Sequence, residues 1–321
     1  MSDIRQPKAT RTEFDFADAR NAFRRGENVT QYLQRQLGVS QNTTEIIEMA
    51  YELQAGSYVE WTKSNRPFVD SYTIEMAEIL NRHLADGQTI LDVGTGELTT
   101  FSSLANKFAY DLERYYAFDV SWSRLRIGLE FAKEVLAPKV AERLSVFAAE
   151  MDEIPLKNSS IDTVITCHAL EPNGGNERPI LKELLRVARR KVILFEPSYE
   201  LNSSQGRERM DRLGYVRNLE GVARELGATV DEVTPLKQVS NPLNPTVAYV
   251  LSPGDNVASD SGPNDELFSD PGTSNPLVKF ASCYFSPKRG VAYPIIEGIP
   301  ILRSRAAVLA SALSDVDVSN G

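Results

Sequence analysis

Leu91-Asp92-Val93-Gly94-Thr95-Gly96 follows Thr89-Ile90 and leads into an apolar-periodic stretch that starts at Thr99. A short apolar run that ends in Gly-x-Gly and feeds a helix marks the turn after a parallel strand, where a backbone without Cβ atoms lets a ligand come close. The alternation continues on the C-terminal side. Residues 115–118 read as a strand ending at Asp119, 122–136 as a helix, and 144–148 and 161–167 as strands. A helix at 178–188, a strand at 191–195, a helix at 220–226 and strands at 229–234 and 246–251 follow. Strands alternating with helices imply βαβ units and a doubly wound, mainly parallel sheet. The last two strands lack an intervening helix, so they are expected as an antiparallel pair at one edge.

On the N-terminal side, residues 1–84 read as helical. Thr43-Thr44-Glu45 caps a run ended by Gly56, and a second helix spans 66–84. Residues 252–276 are rich in Ser, Pro, Gly, Asn and Asp and have no Lys or Arg, as in a flexible acidic linker. Tyr293-Pro-Ile-Ile-Glu-Gly-Ile-Pro-Ile-Leu302 reads as strand-turn-strand, and 306–313 as a short helix. The 321 residues carry 35 basic and 44 acidic side chains, a net charge of −9, which speaks against a nucleic-acid partner. Apolar runs such as 192–195 are far below the roughly 20 residues that span a bilayer, and the opening MSDIRQPKAT has no apolar core of a secretion signal. Cys167 and Cys283 are too few for a disulfide framework or a metal site built from four cysteines, and a reducing cytoplasm is the expected compartment.

Asp119 lies 27 residues after Asp92 at the end of the next strand. There a carboxylate sits beside the glycine turn and can accept both hydroxyls of a ribose. A dinucleotide site wants a third glycine and a free helix N-terminus for pyrophosphate, whereas here Glu97-Leu98 follows Gly96. Glu97 near the helix start would repel a diphosphate, and the acidic Asp92 before the glycines suits a cationic ligand instead. S-adenosylmethionine, with a sulfonium and an ammonium group and no phosphate, fits better than NAD.

With these motifs the chain resembles class I S-adenosylmethionine-dependent methyltransferases of the type 11 kind over about residues 85–251. The resemblance implies an α/β, Rossmann-like, doubly wound seven-stranded sheet with the last strand antiparallel. An N-terminal helical lid at 1–84 and a small C-terminal β appendage at 277–321 complete it. Residues 91–96 match the family's first motif and Phe118-Asp119-Val120-Ser121 the second, while Ala149–Pro155 with 160–162 resembles the adenine-side loop. The implied cofactor-binding residues are Asp92, Gly94, Thr95, Gly96, Asp119, Val120, Glu150, Met151 and Cys167. Glu150 falls near the adenine amino group, Met151 against its ring, and Tyr51 or Tyr58 from the lid touches the cofactor carboxylate. Leu98 stands where many members carry a third glycine. His168, at the mouth of the fourth strand, is expected as base or orienter, with Glu171 as an acceptor-orienting acid. Gly174-Gly175 makes a loop able to close, and Glu196 or Tyr199 faces the crevice.

Residues 293–302 are similar to the last motif of a zinc-ribbon-like methyltransferase-activator family. That family's cysteine pairs are missing here, so this segment is expected to be metal-free and to pack on the core or pair chains. The expected activity is methyl transfer to O or N of a small polar acceptor such as a metabolite, sugar or nucleotide-sugar. The alternatives are a methyltransferase for tRNA, rRNA or protein, or a non-catalytic methyltransferase-like partner. The expected partners are a small-molecule acceptor and at most a second copy of the chain in a homodimer.

Overall fold

A computed structural model of the chain describes residues 15–39, 42–254 and 267–315. The chain divides into two compact units, one ending at Gln54 and one from Ala55 onward. In the first, helices α1 (Phe16–Arg24), α2 (Val29–Leu37) and α3 (Thr44–Gln54) pack around Ala19, Leu33, Ile46 and Ala50. Asp15 and Asn28 cap α1 and α2 by accepting from backbone amides of the first turn.

The second unit holds α4 (Ser57–Ser64) and α5 (Arg66–Leu80), so the boundary falls at 54/55 and not at 84 as expected. The physical reason is burial. Tyr72, Met76 and Leu80 of α5 share one core cluster with Phe101 and Leu104. β1 (Thr89–Val93), α6 (Thr99–Ala105), β2 (Arg114–Asp119), α7 (Trp122–Val135), α8 (Pro138–Ala141), β3 (Leu144–Ala148) and β4 (Ile161–Cys167) follow. Then come α9 (Glu177–Val187), β5 (Ala188–Pro197), α10 (Ser204–Leu213), α11 (Leu219–Glu225), β6 (Thr229–Pro235) and β7 (Thr246–Ser252). The strands form one seven-stranded sheet ordered β3-β2-β1-β4-β5-β7-β6, parallel except for β7, which is antiparallel to both neighbours.

Both faces of this sheet are covered, which explains why its strands read as unbroken apolar runs. Leu91, Val93, Val192, Leu194, Val247 and Leu251 point into one core cluster, and Ile90, Ile193, Phe195, Ala248 and Val250 into the other. The chain winds from β1 outward to β3, then restarts at β4 on the other side of β1. The carboxyl ends of β1 and β4 therefore form the topological switch point, where α/β sheets bind ligands.

The C-terminal part is a smaller sheet of β8 (Val278–Lys279), β9 (Cys283–Ser286), β10 (Val291–Ile296) and β11 (Ile299–Pro300), with β12 (Val308–Leu309) paired to β10. The expected helix at 306–313 is absent. Short 3-10 turns at Ser304–Ala306 and Ser311–Asp315 flank β12 instead. An isolated two-turn helix is marginal in water, and the open edge of β10 offers this run backbone partners.

Of the expected linker, 255–266 lie outside the described residues, whereas 267–276 are packed in place. Phe268 bridges Leu156 and stacks edge-on between Phe147 and Tyr284 at 5.1 Å from each. Asp270 is fully buried and accepts from Ser286 Oγ (2.7 Å) and Tyr293 OH (3.1 Å), and Arg289 donates to the same Tyr293 oxygen. Among the described residues no cluster of His, Cys, Asp and Glu is arranged to hold a metal ion.

Candidate active site

The turn after β1 is built on positive φ angles: Gly94 at 71° and Gly96 at 58°. A Cβ on Gly94 would lie 2.5 Å from Ala169 Cβ and 2.6 Å from Met151 Cε, and one on Gly96 would overlap the Arg124 guanidinium. The positive φ favours glycine at both positions, and at Gly94 the short distance to Ala169 Cβ leaves no room for a side chain as well. The Thr95 amide donates to Phe118 O (2.9 Å) and the Gly96 amide to Asp119 Oδ2 (2.9 Å), which locks the turn onto the end of β2. Leu98 holds the place of the missing third glycine by itself adopting φ 55°, fully buried at the start of α6. The left-handed turn is thus kept at a conformational cost of about 1–2 kcal/mol.

Asp119 is buried. Its other oxygen accepts the Ser121 amide (2.9 Å), and Arg124 stands 3.7 Å away. Ser121, not Asp119, caps α7 by accepting from the Arg124 amide. Glu97, which the sequence offered only as a repulsive charge, has a structural task. Its carboxylate accepts the Gly56 (3.0 Å) and Val59 (2.8 Å) amides and so caps α4, a helix whose own N-cap Gly56 has no side chain. This docks α4 against the glycine turn and brings Tyr58 over Arg124, ring to guanidinium at 4.9 Å. Tyr51 lies on α3 in the other unit.

Two further carboxylates are buried at the ends of β1 and β5, the two strands that flank β4. Burial pushes Asp92 up to about 7, and Glu196 adds to the rise. Burial likewise pushes Glu196, at the end of β5, up to about 7. Glu196 Oε1 accepts the Ala169 (2.9 Å) and Leu170 (3.2 Å) amides, while its buried Oε2 has no hydrogen-bond partner. For Glu196 burial outweighs the opposing pull of His168 and of the two amides, and a buried carboxylate so incompletely compensated is costly. The donor set here therefore suits a cation, and the glycine turn leaves backbone within reach of it.

At the end of β3, Glu150 is buried and paired with Arg303 from the C-terminal segment (Nε 3.2 Å, Nη2 3.1 Å). Arg303 Nη1 also donates to the Val120 carbonyl (3.4 Å). Met151 packs against the core beside Gly94.

Beyond β4, His168 takes φ 51°, held by its amide donating to Phe195 O (2.9 Å). Both ring nitrogens are engaged, Nδ1 with Glu171 Oε2 (2.6 Å) and Nε2 with Thr246 Oγ1 (2.7 Å). Burial disfavours the imidazolium, but the Glu171 carboxylate outweighs it and holds the His168 pKa above its ordinary value. Glu171 in turn is held below its ordinary value, because His168 outweighs its burial. Asn244 donates to the same Glu171 oxygen (3.0 Å). Cys167 Sγ lies 3.5 Å from Tyr72 OH, and burial pushes its thiol well up, so it stays protonated.

The site thus brings together Asp92, Gly94, Thr95, Gly96 and Asp119 at one end and His168 with Glu171 at the other. Tyr199 is turned to Asp211 and Arg217 instead. Arg124, Thr246, Asn244 and Arg303 were not singled out by sequence. Only Arg124, five residues after Asp119, had a local signal. The other three come from segments 73 to 153 residues away from their partners.

Residues 91–195 match the family model of a methyltransferase domain. Among solved structures, a complex of the Trm112 methyltransferase activator of Haloferax volcanii with a methyltransferase is 13% identical, with 64% of this chain and 97% of that chain covered and a TM-score of 0.49. A sarcosine dimethylglycine methyltransferase from Galdieria sulphuraria is 14% identical, with coverages of 58% and 85% and a TM-score of 0.45. Geranyl diphosphate C-methyltransferase from Streptomyces coelicolor is 10% identical, with coverages of 57% and 79% and a TM-score of 0.45. No curated protein matches the chain. Among the described residues no helix is long and apolar enough to cross a membrane.

Proposed function

For a chain whose residues 91–195 are an S-adenosylmethionine-dependent methyltransferase domain, we propose that the acceptor is a small polar molecule methylated on oxygen or nitrogen. The observation that carries this reading is the pairing of two environments at one switch point. A pocket of buried, under-compensated carboxylates at Asp92 and Glu196 attracts a cation, and a hydrogen-bonded histidine stands beyond β4. When bound, the cofactor supplies a methyl group on a sulfonium, activated for in-line displacement. The turn at Gly94–Gly96 and Asp92 would hold its amino-acid part, and Asp119 its ribose.

The acceptor side belongs to His168. Glu171, ionised, can only accept, so it fixes the imidazole proton on Nδ1 and leaves the Nε2 lone pair facing the Thr246 hydroxyl. An acceptor hydroxyl or amine that takes the place of that hydroxyl is aligned by Nε2 and can pass its proton there. Positioning of this kind supplies much of the rate of a displacement reaction.

Calorimetric titration with S-adenosylmethionine and S-adenosylhomocysteine, with the Asp119→Ala variant alongside, tests the cofactor half. A panel of hydroxyl- and amine-bearing metabolites and nucleotide-sugars, followed by methyl transfer, tests the acceptor half. Cofactor binding with turnover only on RNA or protein acceptors would overturn the small-molecule reading.

A further inference from the structure

We infer that Arg303 is a positioning residue for the base end of the nucleoside crevice: it fixes Glu150 as an ionised acceptor for an exocyclic amino group, so the C-terminal segment sets which purine the crevice takes. The inference rests on the cofactor reading above.

The placement follows from strand register. Ile301 forms a parallel bridge to Ala148, and the Leu302 amide donates to Ala148 O (2.9 Å), so the C-terminal chain continues the large sheet past its edge strand β3. Arg303 lies two residues beyond Ile301, and Glu150 two beyond Ala148. Equal offsets in a parallel pairing bring the two side chains to the same face. Their side chains are only 10% and 8% exposed, and the guanidinium also reaches Val120 O, the residue after Asp119. It therefore bridges the carboxyl ends of β2 and β3, the rim on which a nucleoside lying along Asp119 would end.

A staple for the C-terminal segment would not need this pair. Ile299 and Ile301 pack against Leu125, Ser304 Oγ donates to Glu153 (2.6 Å), and Arg126 pairs with Glu297 (2.9 Å) at the surface. A buried ion pair is a costly way to add adhesion, because both charges must leave water. What the pair does change is the state of Glu150. Burial raises its pKa and Arg303 opposes the rise; Asp152 and Glu153 add to it, and Arg305 lies 3.8 Å from the same oxygen. A carboxylate has about four acceptor sites, so the two bonds from Arg303 leave capacity for an amino group. Ionised, Glu150 accepts from the amino group of adenine and repels the keto oxygen of hypoxanthine. Protonated, it loses that preference.

The test uses the full chain, with S-adenosylhomocysteine and its deaminated analogue S-inosylhomocysteine titrated between pH 6 and 8.5. The intact protein should prefer the adenine form by about 10- to 100-fold, the worth of a hydrogen bond to a charged group. Arg303→Met should bring the preference to within a few-fold and make adenine binding weaken as pH falls. Arg303→Lys should restore most of the preference. A folded Arg303→Met protein with unchanged preference, or one that loses both ligands equally, overturns the inference. If Arg303→Met fails to fold, the near-isosteric Glu150→Gln decides, and a preference kept in that variant also overturns it. Failure of the intact protein to bind either ligand is distinct from these results, because it defeats the cofactor reading on which the inference stands.

Discussion

Glu196→Gln should make the ligand-free protein more stable and the cofactor-bound protein weaker. Burial raises the Glu196 pKa from 4.5 to about 7 in the folded chain. The sign is the reverse of the usual carboxylate case. The unfolded chain gives up the Glu196 proton at lower pH than the folded one, so raising the pH through about 4.5 to 7 favours unfolding. At about 1.4 kcal/mol per pH unit, the ionised side chain costs the folded state up to about 3 kcal/mol above about pH 7, and nothing below about 4.5. Glutamine keeps the Oε1 acceptor for the Ala169 and Leu170 amides, so the turn that positions His168 is retained. Denaturant unfolding of both proteins across pH 5–8 measures the difference. Glu196→Gln should gain stability relative to the parent steadily up to about pH 7 and hold the gain above it, while its affinity for S-adenosylmethionine falls. A stability difference that does not change with pH, or a variant less stable than the parent at pH 8, would refute the assignment of Glu196 as a buried acid whose burial outweighs its compensation.

Removing Glu171 as Glu171→Gln takes away the larger opposition to burial of His168 and leaves only the weaker pull of Glu196, so the inflection in single-turnover methyl transfer that reports neutral His168 should move to lower pH, as a pH-rate profile will show. At Leu98, φ 55° reverses the usual helix ranking: Leu98→Gly should be more stable than Leu98→Ala by about 1 kcal/mol, although both lose the buried side chain, and thermal melts of the pair measure it. Asp270→Asn weakens two hydroxyl-to-carboxylate bonds in the C-terminal knot. It should speed alkylation of Cys283 by a thiol reagent, with metal chelators leaving the melting temperature of the parent unchanged.

The glycine turn, the seven strands and the positions of Asp92, Asp119, Glu150, His168 and Glu171 were legible in sequence because each lies at the end of its strand or within a few residues after it, and chain order alone puts them at the carboxyl edge. Helix α10 was not legible. Its cap Ser203 and stop Gly214 are conventional, but only Gly206 and Met210 of its ten residues are buried, so it carries no apolar period. The run 306–313 misled in the opposite way: its alanines favour a helix, and an open strand edge took it instead.

The sequence by itself determined the sheet, its switch point and the acids around the glycine turn, since these depend on local alternation and on strand-to-turn spacing. Only the tertiary structure decided what those acids do. Glu97 became a helix cap, Glu196 a buried acid with one oxygen left without a hydrogen-bond partner, and Glu150 the partner of an arginine 153 residues further on. A carboxylate's protonation and its hydrogen-bonding role are set by burial and by the charge beside it. Both arise only when segments far apart in the chain are packed together.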